Sequence, residues 1–402
     1  MTTIFIFDQA EHSGGSIARA VDLAISMPNY NFIIATYHPL HQLYHRSLSS
    51  NIKTLRFFSF YNYQRKFHHT QFLHKKIGNN FLFNIARKII AFIDWINETS
   101  LKIQASVHLA DIRLDIVQAN AGIHFLPYYI ALKKHSSLIY YFRHLDDYRW
   151  ASEEMLNRAY RFLFVGKNLM DHHRALISLP DSKCQVIHSP FNTIQRLKES
   201  PPDDMSLIDS LKANNRFIIL MAARICHEKG QKIALNAIGK IAKNHPNVML
   251  LLAGNEDKKY ANQLRQEINS LQLHNNVTFI GQRTDIPHLL LKADVALQAP
   301  LWFEALSGSL VEAMQLGTLT ISANIGGASE VIEHGVTGFL FTPGNSDELA
   351  NIIENIIEGQ IDIHALCQKG KERTNLQWNQ DKIHAEMSQV YSTAISQIEN
   401  IY

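Results

Sequence analysis

Two carboxylates and two cations in the second half of the chain are spaced to handle an anionic ligand rich in hydroxyls. Glu304 and Glu312 stand eight positions apart within the stretch Phe303–Gly338. Glu304 falls in a turn after the strand-like run Val295–Ala299, and Glu312 lies inside a helix predicted to start near Ser307–Ser309. Carboxylates accept hydrogen bonds from sugar and ribose hydroxyls. The free backbone N–H groups of Ser307, Gly308 and Ser309, at the positive end of the helix dipole, suit a phosphate. Together they describe a nucleotide-sugar site. A second reading stays open for Glu312, because Ser309 and Glu312 also form a capping box that would only satisfy the helix start.

Arg224 and Lys229 lie in the loop that leaves the strand-like run Phe217–Met221. Fixed cations at a strand end stabilise the charge that develops on a departing diphosphate. Plain surface charge is the alternative. Near the start of the chain, Gly14 and Gly15 separate the apolar run Thr3–Phe7 from a helical pattern through Ile17, Ala20, Val21, Ala24 and Ile25. A glycine pair there lets backbone amides approach an anion. It is no G-x-G-x-x-G, and no acidic ribose partner follows about twenty residues on, so a dinucleotide is disfavoured. Arg283, in Gly281-Gln282-Arg283 after Val277–Ile280, is placed to touch a nucleotide base. His144 stands just past the run Leu138–Tyr141, where parallel sheets gather ligands, although a histidine there is often structural.

These motifs resemble the retaining glycosyltransferases of family 4. The likeness rests on the E-x7-E pair Glu304 and Glu312, on Gly326-Gly327-x-x-Glu330, on Gly335 with Gly338, and on Arg224 to Lys229-Gly230, which matches G-R-x-x-x-x-K-G with Ala223 for the first glycine. It covers most of the second half of the chain. It implies a GT-B fold in which Gly14 and Gly15 face the donor phosphates and His144 reaches the donor sugar. It also implies that Arg224 and Lys229 neutralise the diphosphate, that Glu304 holds sugar hydroxyls and that Glu312 holds ribose hydroxyls. The implied reaction retains anomeric configuration without a lasting enzyme–sugar bond, and the departing phosphate deprotonates the acceptor. Leu301 departs from the usual serine, and Ser307-Gly308 shifts the expected glycine by one position. No D-x-D occurs, so the expected donor is a UDP-, GDP- or ADP-sugar, with no cofactor and no metal.

The elements that must position these residues read as alternating strands and helices. Ile116–Val117, Leu138–Tyr141, Phe162–Val165 and Gln185–Ile187 supply strands after Thr3–Phe7 and Asn31–Ala35. The alternation restarts at Phe217–Met221, Val248–Ala253, Val277–Ile280, Val295–Ala299 and Leu319–Ala323. Such alternation predicts α/β architecture with two doubly wound, Rossmann-like parallel sheets facing across a cleft. The polar, Pro201-Pro202-containing segment Asn192–Asn215 is the expected linker. The expected domains are an acceptor-side domain over 1–195, a donor domain over 196–378, and a helix over 379–402. That helix carries Ile383, Met387, Val390, Ala394 and Ile398 at helical spacing, and the resemblance implies that it crosses back onto the first domain.

Composition narrows the class further. A chain of 402 residues with 46% hydrophobic and 19% charged residues is globular, and a net charge of +3 does not point to nucleic acid. Cys184, Cys226 and Cys367 show no ligand spacing and suggest a reducing compartment. Twenty-one histidines occur without an H-E-x-x-H or a Cys/His cluster. The first residues lack a signal-peptide layout and no apolar run is long enough to span a bilayer, so a cytoplasmic protein, free or peripheral at the inner membrane face, is expected. Between Asp22 and Asp94 there is no acidic residue, but nine Lys/Arg, including Arg65, Lys66, Lys75 and Lys76, interleave with aromatics. That interval suits an anionic membrane surface, or is a solvated face over a helical core. The whole pattern predicts transfer of a sugar to the hydroxyl of a sugar or lipid-linked acceptor, in surface polysaccharide or glycolipid synthesis. An epimerase or phosphorylase of the same fold, or a non-catalytic nucleotide-sugar-binding subunit, are the alternatives. The four intact residues Arg224, Lys229, Glu304 and Glu312 speak against the last.

Overall fold

The computed structural model describes residues 1–8, 15–38, 48–59, 81–120, 122–145, 151–191, 193–199 and 202–399. The first sheet contains β1 (Thr3–Asp8), β2 (Asn31–Thr36), β3 (Ile52–Arg56), β4 (Ile116–Asn120), β5 (Ser137–Phe142), β6 (Ala159–Phe164) and β7 (Cys184–Val186). The second contains β8 (Phe217–Ala222), β9 (Val248–Ala253), β10 (Val277–Gly281), β11 (Val295–Gln298), β12 (Leu319–Ala323) and β13 (Phe339–Phe341). Their orders are β3-β2-β1-β4-β5-β6-β7 and β10-β9-β8-β11-β12-β13, and neighbouring strands run parallel. Both sheets are therefore doubly wound, as the alternation of strand and helix requires.

Apolar runs become central strands because helices cover both faces of a parallel sheet. On β9, Val248, Leu250 and Leu252 pack into one core cluster, while Met249, Leu251 and Ala253 pack into another on the opposite face. β8 alternates the same way, with Ile219 and Met221 on one side and Ile218 and Leu220 on the other. Each sheet has one point where the strand order reverses: between β1 and β4 in the first, and between β8 and β11 in the second. Loops leaving two adjacent strands diverge there and leave room for a ligand.

The chain divides into two compact units. One comprises Met1–Phe164, Arg174–Ile187 and His384–Tyr402, and the other Val165–His173 and His188–Ile383. The terminal helix Gln380–Glu399 supplies the first unit with a buried Tyr391, whose hydroxyl donates to Gln118 at 2.8 Å, and with the Ala394 carbonyl, which accepts from Ser137 at 2.9 Å. The boundary before His188 precedes the segment read as a linker. That segment is not one: it forms the helices Thr193–Glu199 and Ser206–Ala213, and Ile208 is buried in the second core. Most of its polar residues are exposed, on helices too short to show a pattern. The strands β3 and β13 also escape the sequence reading; β3 is an edge strand with mostly exposed side chains and no apolar run.

Candidate functional site

Of the residues singled out in the second half, Arg224, Lys229 and Glu304 gather at the β8/β11 reversal. After β8 the chain makes the turn His227–Lys229, then Gly230 in the left-handed region at φ 68° starts the helix Gln231–Ile241. A Cβ on Gly230 would lie 1.9 Å from the Ala299 carbonyl oxygen, so only glycine lets this loop rest on the one leaving β11. The Leu301 amide donates to the Glu228 carbonyl at 2.9 Å, and Gln231 Nε2 donates to the Arg224 carbonyl at 2.9 Å. Pinned in this way, the Lys229 ammonium meets the Glu304 carboxylate, and the two side chains are 26% and 21% exposed. Burial lowers the Lys229 pKa from the ordinary lysine value; Cys226 and Glu228 act against this shift and Arg224 adds to it. The Arg224 side chain is exposed beside them.

Gly326 and Gly327 secure the Glu304 loop from the other side. Gly327 N–H donates to the Glu304 carbonyl at 2.8 Å, and Cβ atoms on these glycines would fall 2.0 Å from the carbonyl oxygen of Glu304 and 2.2 Å from that of Ala305. The glycine pair thus lets two backbones touch. Glu330, the last residue of the same motif, accepts from the amides of Lys167 and Asn168 at 2.8 and 2.7 Å. Those amides open the helix Lys167–Leu176, where a carboxylate is stabilised by the free N–H groups and the dipole. Asn168 Nδ2 in turn donates to the Gly326 carbonyl at 2.7 Å.

The helix Gly308–Leu316 starts where the sequence places it, with Ser307 as an extended N-cap residue whose side chain makes no capping bond. Ser309 is therefore already inside the helix and the expected capping box does not form. Glu312 sits in the second turn. Its carboxylate is 9% exposed and pairs with Arg196 from the helix Thr193–Glu199. Arg196 was hidden because its segment reads as a linker; the only signal was a run free of Gly and Pro, Thr193–Glu199. Arg283 also points away from the β8/β11 loops. Its Nε and Nη2 donate to the buried Asp285 at 2.8 and 2.7 Å, and Nη2 also reaches the Asp204 carbonyl at 3.0 Å. The Asp285 hydrogen bond raises the Arg283 pKa further. This guanidinium holds the segment before β8 to the sheet.

In the first unit, Gly14 lies outside the described residues and Gly15 is the first residue of the helix Gly15–Ser26. His144 is exposed, just past β5. Beside the β1/β4 reversal lies a polar cluster that the sequence does not announce. Ser16 donates to Asp8 at 2.7 Å, Asn120 Nδ2 donates to Asp8 at 2.5 Å, and Arg143 Nε donates to Asn120 Oδ1 at 2.7 Å. The buried His124 accepts the Leu126 amide at 3.0 Å through Nδ1, so its Nε2–H faces Tyr37 Oη at 3.1 Å. Desolvation drops its pKa to about 3, which keeps the ring neutral.

Residues 206–373 match the family described as glycosyl transferases group 1. The match covers 168 of the 402 residues, less than half of the chain. It contains Arg224, Lys229, Glu304, Glu312 and Glu330, so the loops at the β8/β11 reversal all belong to it. The chain is 26% identical over 186 residues to the putative glycosyltransferase YtcC of Bacillus subtilis, which covers 44% of this chain and 46% of that protein. It is 32% identical over 157 residues to spore coat protein SA of the same species, covering 37% and 40%. The chain spans about half the length of the curated relatives it matches. The fold extends further than these matches: the Anabaena protein HepE, solved in complex with UDP and glucose, superposes with a TM-score of 0.73 over 98% of this chain and 100% of its own, at 22% identity.

Proposed function

We propose that this chain is a GT-B-type hexosyltransferase that moves a sugar from a nucleoside diphosphate sugar to an acceptor hydroxyl with retention. The observation that carries the reading is the Lys229–Glu304 contact at the β8/β11 reversal, with Arg224 beside it, inside the stretch that matches the group 1 family. The bond from the anomeric carbon to the diphosphate oxygen breaks, and a bond from that carbon to the acceptor oxygen forms on the same face. The acceptor proton passes to the departing phosphate oxygen. Arg224 and Lys229 stabilise the charge that grows on the diphosphate, supplying positive charge without a metal. Donor phosphates compete with Glu304 for Lys229, which frees the Glu304 carboxylate to accept sugar hydroxyls. Glu312 serves the ribose hydroxyls, and its pair with Arg196 balances its charge. The helix start at Ser307–Ser309 and the Gly281-Gln282 backbone complete the donor contacts in this reading. The structure of HepE with UDP and glucose favours a uridine donor among the UDP-, GDP- and ADP-sugars.

Hydrolysis of a panel of these sugars without acceptor tests the reading. One nucleotide class is expected to be hydrolysed; a folded protein that neither binds nor hydrolyses any member refutes it. On the preferred donor, Glu312→Gln is expected to raise KM at least about tenfold. Its melting temperature also falls, because losing one charge of a buried pair costs about 3 kcal/mol. Arg196→Met loses the same pair, so a KM change confined to Glu312→Gln separates ribose binding from ion pairing. Equal kinetics in the two variants would reduce Glu312 to a structural role.

For the acceptor side we propose a lipid-linked glycan met at an anionic membrane surface. No described helix is long and apolar enough to cross a membrane. The helix Phe81–His108 instead exposes Phe92, Trp95, Ile96, Ile103 and Val107, and Phe92 stacks on Trp95 at 6.0 Å. It begins within the acid-free interval; Arg65, Lys66, Lys75 and Lys76 lie outside the described residues. Each Lys or Arg near such a surface contributes about 1 kcal/mol, and salt screens it. Pelleting with anionic vesicles is expected to weaken at high salt and to be lost in the fourfold change of these residues to Glu. Unchanged pelleting of that variant would make the basic interval a solvated face.

A further inference from the structure

At the amino-terminal edge of the second sheet, opposite the edge that carries Lys229, three side chains from two segments converge. His245 lies in the turn between the helix Gln231–Ile241 and β9, and Glu354 and Glu358 lie in the last turn of the helix Ser346–Ile357 and at its C-cap. His245 Nε2 is 3.4 Å from Glu354 Oε1 and 3.8 Å from Glu358 Oε1, and one ligand atom from each residue lies within 4.8 Å of the other two. Nε2 is buried and makes no hydrogen bond among the described residues. We infer that His245, Glu354 and Glu358 form a binding site for a divalent transition-metal ion of the Zn²⁺ type.

The electrostatics of the helix end argue for a cation. Glutamates at i and i+4 repel, and both sit at the negative end of the helix dipole. No basic residue occupies that last turn. A sequence that places two carboxylates there creates a site that a bound cation relieves. The ligand set selects the cation: imidazole with two carboxylates suits Zn²⁺ and its first-row neighbours, whereas Ca²⁺ and Mg²⁺ prefer all-oxygen shells. Metal–ligand bonds of about 2.0–2.2 Å in a tetrahedron put donor atoms about 3.4 Å apart, which is the His245–Glu354 spacing. The frame is already in place. His245 N–H donates to the Ile241 carbonyl at 2.8 Å, Glu358 N–H to the Glu354 carbonyl at 2.9 Å, and Lys240 pairs with Asp347 at 2.5 Å farther along the same two helices. With three protein ligands the ion keeps water in its remaining positions. Its role here is to clip the helix Ser346–Ile357 to the turn before β9, independent of sugar transfer.

Calorimetric titration of the chelator-stripped full chain with ZnCl₂ tests this, with MgCl₂ as the contrast. One Zn²⁺ per chain, no heat from Mg²⁺ and a melting temperature that rises with Zn²⁺ are expected. His245→Gln and Glu354→Gln are each expected to weaken binding by no less than about tenfold, a loss typical even of groups that merely orient a ligand. Glu358→Gln is expected to lose Zn²⁺ affinity while its metal-free melting temperature holds or rises, because a like-charge pair is removed. Absence of stoichiometric binding, or binding that survives in all three variants, overturns the site. A metal-free Glu358→Gln that melts lower than the parent also counts against it, since the three residues would then be a self-sufficient ion pair.

Discussion

Lys229→Ala is expected to lower turnover of the donor sugar about a hundredfold, close to 3 kcal/mol of transition-state stabilisation. Arg224→Ala is expected to lose a similar amount. The structure sharpens how this is measured, because Lys229 pairs with Glu304 and its removal also leaves that carboxylate without its cation. The double variant Lys229→Ala, Glu304→Gln separates the two effects. If Lys229 only balances Glu304, the double variant recovers relative to Lys229→Ala. If Lys229 stabilises the leaving diphosphate, the double variant stays at least as slow. Lys229→Arg is expected to fail as well, since a planar guanidinium does not fit the space of a compact ammonium held against Glu304. Near-parental turnover in Lys229→Ala would remove the assignment.

Much of the second unit was legible because its strands are uninterrupted apolar runs. Val248–Ala253 and Leu319–Ala323 appear in the structure with the same bounds as in the sequence. The loops after β8 and β11 were also legible, since a strand end followed by charged residues and glycine has few alternatives in a doubly wound sheet. What stayed hidden depends on contacts between distant segments. Arg196 meets Glu312 only because a polar stretch folds into a helix against the site, and Arg283 turns inward because Asp285 is buried beside it. The Asp8–Asn120–Arg143 cluster joins three strand ends that no local spacing connects. The role of Gly326-Gly327-x-x-Glu330 was visible as a pattern but not as a cause. Its cause is backbone packing, which sequence does not display.

That packing predicts a loss from one methyl group. Gly326→Ala places a Cβ 2.0 Å from the Glu304 carbonyl oxygen, at a residue already held at φ 61°. The left-handed conformation alone costs alanine about 1 kcal/mol. Relief of the overlap requires the 304 and 326 backbones to separate by about 1 Å, a displacement that in an active site is worth about a hundredfold in rate. The Gly327 N–H to Glu304 carbonyl bond stretches with it. A total of about 3 kcal/mol corresponds to a melting temperature lower by roughly 6–12 °C for a unit of this size. Gly335→Ala is the internal comparison: Gly335 has φ 73°, yet a Cβ there meets nothing within 4 Å. It is expected to show the conformational cost alone, with donor turnover unchanged. Thermal melts and donor hydrolysis on the two variants decide the matter. If Gly326→Ala matches Gly335→Ala in both, the glycine is present only for its backbone angle, and the Glu304 loop does not depend on the contact beneath it.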